Sequence, residues 1–151
     1  MTAPGRPLDL LLVEDSADDA RLVERELRQG GFTLRRFVRV ETPGAMAEAL
    51  EYLRGPSPRP LVVLLDLNMP RMDGHEVLRR IRADPRTRHL PVVVLTSSAE
   101  DEDVLRSYDA GANSYVRKPV SFLSFVEAAR QLGVYWLQLN RPAPQAGGPL
   151  R

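Results

Sequence analysis

Three stretches of this chain are almost unbroken hydrophobe: Leu8 to Val13 (LDLLLV), Leu61 to Leu65 (LVVLL) and Pro91 to Leu95 (PVVVL). A strand with one wet face alternates apolar and polar residues, whereas a continuous apolar run must be covered on both faces, as in a parallel sheet flanked by helices. Leu34 to Val40 and Ser114 to Val116 read as two weaker strands. The intervening segments carry helical spacing: Ala20, Val23 and Leu27 before Gly30-Gly31, then Ala45, Ala49, Leu50 and Leu53 before Gly55. His75 to Ala83, Glu100 to Ala110 with Gly111 as its C-terminal cap, and Ser121 to Leu139 complete the series. Five strands alternating with five helices predict an α/β domain with a parallel sheet and right-handed crossovers. Gly55 to Pro60 (GPSPRP) reads as a short rigid loop inside that domain. Residues 1–7 are expected to be a tail, 8–139 the domain, and 140–151 a flexible C-terminal tail.

In an open parallel sheet, ligands bind beyond the carboxyl ends of the strands. Those ends are polar here. The first predicted strand runs into Glu14-Asp15, the third into Asp66, the fourth into Thr96, and the fifth is followed by Lys118-Pro119. All these groups fall on one rim. Composition narrows what the rim does. Without cysteine, neither a disulfide framework nor a thiolate metal site is available. A formal charge of +1 gives no reason to expect nucleic acid as a partner. No apolar run approaches the roughly 18 residues of a membrane span, and MTAPGRP is unlike a signal peptide, so a cytoplasmic protein is expected.

This ordered set on an alternating β/α pattern resembles the response-regulator receiver domain of two-component signalling, over roughly residues 8 to 139. The resemblance implies a doubly wound, flavodoxin-like sheet with strand order 2-1-3-4-5. It also implies a phosphoacceptor, Asp66, phosphorylated by a sensor histidine kinase, with Lys118 and Thr96 as its catalytic partners and Thr96 and Tyr115 as the switch pair. Such a domain is not an enzyme acting on other molecules, although it catalyses its own phosphorylation. Three carboxylates on one rim repel one another by about 4 kcal/mol per pair at about 4 Å and an effective dielectric near 20. Lys118 alone cannot neutralise them, and Mg²⁺ suits a hard, all-oxygen site. The resemblance assigns Asp15, Asp66 and the main-chain carbonyl of Asn68 as direct ligands, with Glu14 acting through water. It also implies a cis bond between Lys118 and Pro119, and Gly74 is expected to serve the turn before the third helix.

Other roles compete for the same residues. Glu14-Asp15 could cap the first helix, a role for which Ser16 competes, and Tyr115 could be ordinary core. A phosphatase of the haloacid dehalogenase type would need an aspartate two positions after the nucleophile, where Asn68 stands. A phosphorylation-independent interaction module would have lost one of the chemical groups. His75 and His89 have no clustered partner and are expected in solvent. Arg35, Arg36 and Arg39 read as an exposed strand edge, and Met69 and Met72 as packing residues.

The last predicted helix places Phe122, Phe125, Val126, Ala129, Leu132, Trp136 and Leu139 at helical spacing and ends YWLQLNRPAP. This ending, with SPRPLVVLLDLNMPRMDGHEVL, resembles single-domain regulators paired with bacterial and cyanobacterial phytochromes. That implies a bacteriophytochrome as the kinase and a homodimer built through the C-terminal helix region. Signal output is then expected through protein contacts or onward phosphotransfer.

Overall fold

The computed structural model describes residues 9–32, 34, 36–56 and 59–144. The expected N-terminal tail at 1–7, the end of the C-terminal tail, part of the GPSPRP loop and Arg35 lie outside the described residues. Five strands, β1 (Leu10–Val13), β2 (Phe37–Val40), β3 (Val62–Leu65), β4 (Val92–Thr96) and β5 (Ser114–Arg117), form one sheet. Every pairing is parallel and the order is β2-β1-β3-β4-β5, as expected. Five helices follow the strands: α1 (Ala17–Gln29), α2 (Pro43–Arg54), α3 (Gly74–Ala83), α4 (Asp101–Asp109) and α5 (Phe122–Gly133). A two-residue antiparallel hairpin, Asn68–Met69 with Met72–Asp73, lies between β3 and α3.

The unbroken apolar runs are explained by the two cores. Leu11, Val13, Val63 and Leu65 face α2 and α3, meeting Met46, Leu50, Leu53, Leu78 and Ile81. Their neighbours Leu10, Leu12, Val62, Leu64, Val93 and Leu95 face α1 and α5, meeting Val23, Leu27, Phe125 and Ala129. Each such side chain stabilises the fold by roughly 1.5–3 kcal/mol. Met69 and Met72 join the first core, so they are packing residues as expected.

Polar side chains secure the helix ends. Ser16 wins the competition to cap α1, its hydroxyl accepting from the Asp19 N–H, while Asp73 caps α3 by accepting from His75 and Glu76. Gly111, after α4, has φ of +108°, a conformation only glycine adopts without strain. Gly74 has an ordinary φ; its service is close approach. A Cβ there would sit 2.9 Å from Leu67 Cδ2 and 3.0 Å from the Asp66 carbonyl.

Arg82 of α3 locks the opposite end of the sheet. Its guanidinium donates to the carbonyls of Gly111 (2.8 Å), Leu90 (2.7 Å) and Arg88 (3.1 Å) and to Asn113 Oδ1 (2.8 Å). Asn113 Oδ1 also accepts the Val92 N–H at 2.8 Å.

The single helix expected over 121–139 changes character partway. After Gly133 the chain widens into a π-helix, Val134–Leu139, and the Asn140 N–H reaches back five residues to the Tyr135 carbonyl at 2.6 Å. Gly133 lies so close to α1 that a Cβ would be 2.6 Å from Leu27 Cδ2. Trp136 and Leu137 pack against the α1/α5 core, while Val134, Tyr135 and Leu139 face outward.

Candidate functional site: an acidic pocket at the carboxyl rim

Register brings the acids together. Val13 pairs with Leu65, so Glu14 and Asp66 leave adjacent strands at the same level, and the Asp66 N–H bonds the Val13 carbonyl at 3.0 Å. Glu14 and Asp66 are almost fully buried, whereas Asp15 is exposed. Carboxylate oxygens of all three lie within 4.8 Å of one another. Lys118 reaches this group from the loop after β5, anchored by its N–H on the Thr96 carbonyl at 2.6 Å. Its ammonium donates to Glu14 Oε1 (2.6 Å), Asp19 Oδ2 (2.8 Å) and Asp66 Oδ2 (3.1 Å). The Lys118–Pro119 bond is trans, correcting the expected cis bond. Trans is the lower-energy isomer by about 0.5–1 kcal/mol, and the lysine reaches the pocket without the other.

Asp66 Oδ1 accepts the Asn68 N–H at 3.0 Å, and the Asn68 side chain donates to Ser97 Oγ at 2.9 Å across the pocket mouth. Thr96 is fully buried, and among the described residues its hydroxyl has no hydrogen-bond partner. Such a hydroxyl costs free energy unless something engages it. Tyr115 is half-buried on β5, and its hydroxyl donates to the Ser98 carbonyl at 2.9 Å, on the loop just after Thr96.

Burial drives the Glu14 carboxyl up to about 7, although Lys118 opposes the shift. Burial also acts on Asp66, but there the Asn68 N–H, Lys118 and the Glu14 side chain prevail, holding it below the usual range. Lys118 would lose its proton more readily for being buried; its bonds to Asp19 and Glu14 reverse that and raise it. One proton thus settles on Glu14 near neutrality while Asp66 stays an anion.

A pH dependence follows. A raised folded-state pKa means that Glu14's contribution to stability is complete below its ordinary 4.5 and is lost as pH rises through about 7. The lowered Asp66 and raised Lys118 contributions do not change between pH 5 and 8. Metal-free protein should therefore lose up to about 3 kcal/mol across that window by calorimetry, and a flat profile in chelator would contradict the electrostatic account.

Sequence reasoning did not single out Asp19 or the true position of Arg39. Asp19 lies in the first turn of α1, its N–H on the Ser16 cap, which holds it at the same rim. Arg39 is not a simple edge charge: it donates to the carbonyls of Glu14 (3.1 Å) and Asp15 (2.8 Å) and pairs with Glu41 (2.8 Å). Arg36 lies 4.9 Å over the Tyr52 ring. His75, expected in solvent, is buried, with Nε2 3.2 Å from Ser107 Oγ; His89 is exposed. Because the Ser107 hydroxyl donates to the Asp103 carbonyl at 2.8 Å, the histidine is the donor in that pair.

The probable methanogenesis regulatory protein FilR2 of Methanothrix harundinacea is 43% identical over 143 residues, covering 91% of this chain and 90% of its own. The response regulator Rcp1 of Synechocystis is 37% identical, covering 87% of this chain and 90% of its own. Its Mn²⁺-bound crystal structure superposes with a TM-score of 0.80 at 35% identity, over 91% of this chain and 100% of that one. The phosphorylated cyanobacterial phytochrome response regulator RcpA gives a TM-score of 0.79 at 33% identity, over 91% and 99%. The response regulator receiver domain profile matches residues 10–130. With that match across most of its length and the acid pocket at its sheet rim, the chain belongs to the response regulator receiver domain family.

Proposed function

We propose that this protein accepts a phosphoryl group on Asp66 from the phosphohistidine of a sensor histidine kinase. The observation that carries this reading is a buried aspartate kept anionic beside a buried ammonium and a threonine hydroxyl unpartnered among the described residues. An Asp66 oxygen attacks phosphorus, the phosphorus–nitrogen bond to the kinase histidine breaks, and the imidazole leaves with the electron pair. Lys118 offers an N–H to the phosphoryl oxygens as charge develops on them. The Thr96 hydroxyl then gains its partner from a phosphoryl oxygen. Tyr115, tied to the loop that carries Ser98, reports that movement to the α4-β5-α5 face.

The hard oxygen donors, three carboxylates whose oxygens lie within 4.8 Å of one another, fit a divalent cation. Asp15, Asp66 and the Asn68 carbonyl would hold Mg²⁺ directly and Glu14 through water. When bound, Mg²⁺ supplies charge neutralisation at the acids and on the phosphoryl oxygens.

The name of RcpA, a cyanobacterial phytochrome response regulator, supports a phytochrome-type kinase as donor. Outward-facing Val134, Tyr135 and Leu139 support a homodimer through the C-terminal helix region. No helix among the described residues is long and apolar enough to cross a membrane, which agrees with a cytoplasmic site of action. Output passes by conformational change or onward transfer, with no nucleic-acid contact.

Incubation with autophosphorylated phytochrome kinase and Mg²⁺ should label the protein, and Asp66→Asn should abolish the label. Labelling that survives in the variant would refute Asp66 as acceptor.

A further inference from the structure

Resting on the proposed phosphoryl transfer, the geometry points to Asp19 as a positioning residue that acts through Lys118. An ammonium has three N–H donors, and Lys118 gives one each to Glu14, Asp19 and Asp66. The shorter two go to Glu14 and Asp19; the longest goes to the acceptor itself.

These three carboxylates are not equivalent. Glu14 and Asp66 belong to the cluster that fits a divalent cation, and Asp19 does not. Asp19 approaches from α1 and stands about one-third exposed. It lines an open cleft of about 560 Å³ with Arg21, Pro119, Val120 and Phe122. Its backbone is fixed, because its N–H bonds the Ser16 cap at 3.2 Å and the turn is closed. A cation drawing on Glu14 and Asp66 leaves Asp19 as the acceptor that keeps Lys118 aimed at the pocket. The donor now spent on Asp66 is then the one that passes to a phosphoryl oxygen.

A long, four-carbon side chain with one anchor removed samples rotamers that miss the transferring group, and misplacement of this kind is costly in rate. Asp19 makes no contact with the reacting atoms, so its influence must vanish where Lys118 is absent.

The test is a double-mutant cycle on the full chain, with acetyl phosphate and Mg²⁺ as donor. In that reaction an Asp66 oxygen bonds phosphorus, the phosphorus–oxygen bond to acetate breaks, and acetate leaves with the electron pair. Asp19→Ala should slow labelling about tenfold in the native background and less than twofold in Lys118→Ala. Asp19→Asn, which keeps an acceptor oxygen without the charge, should lie between native and alanine. An equal loss in both backgrounds would overturn the inference, as would no loss in the first. So would faster labelling of Asp19→Asn, which would mean that Asp19 merely repels the anionic donor. Failure of the native chain to be labelled on Asp66 would instead refute the proposed function.

Discussion

Lys118→Ala should slow phosphorylation of Asp66 by a small donor about 100- to 1,000-fold, the loss typical of removing one fixed donor from a developing oxyanion. The ammonium sits 3.1 Å from Asp66 and is almost entirely shielded from water, so bulk solvent supplies no substitute of equal strength. Stability should change less than rate, because Glu14 has another way to lose its charge. Lys118 is what opposes the burial-driven rise in the Glu14 pKa, so its removal lets that carboxyl keep its proton to higher pH. Mass spectrometry of the intact protein against time gives the rate. A variant within tenfold of native would remove Lys118 from the transfer step.

The largest loss of stability is expected far from this pocket. Arg82→Ala deletes four hydrogen bonds that join α3, the loop before β4 and the turn before β5. Three carbonyls and one amide oxygen lose a charged donor, which should cost about 3 kcal/mol or more. For a domain of this size that is roughly 6–12 °C in Tm. Arg82→Lys should recover less than half, because one ammonium cannot span four acceptors on two segments. A urea midpoint for Arg82→Ala within error of native would refute the lock.

The fold was legible because both faces of the sheet are covered, and covered strands spell themselves as VVLL and VVVLT. The pocket was legible because parallel strands deliver their ends to one rim. What escaped was side-chain reach. Arg39 sits on an edge strand, as its neighbours in sequence imply, yet its long side chain turns onto the loop of Glu14 and Asp15. His75 lacks a clustered partner in sequence and so reads as solvent-exposed, yet it stands one turn before the buried Leu78, on the face of α3 that turns inward. The trans bond at Lys118 is the isomer that an X-Pro bond favours by itself, and the cis expectation came from the resemblance alone. The widened turn after Gly133 depends on close packing against α1 that no local pattern encodes.

Helix α4 differs from its neighbours in how little of it is inside. Ser107 is its one buried residue, and Leu105 and Tyr108 stand in solvent. Apolar burial therefore holds α4 weakly, and the hydrogen-bond chain from His75 through Ser107 to the Asp103 carbonyl does much of the fastening. Its detachment is a local equilibrium whose free energy lies well below that of global unfolding. The amides of α4 should exchange with solvent long before those of β1, β3 and β4, which makes this helix a separate thermodynamic unit whose docking a small change at the rim suffices to shift.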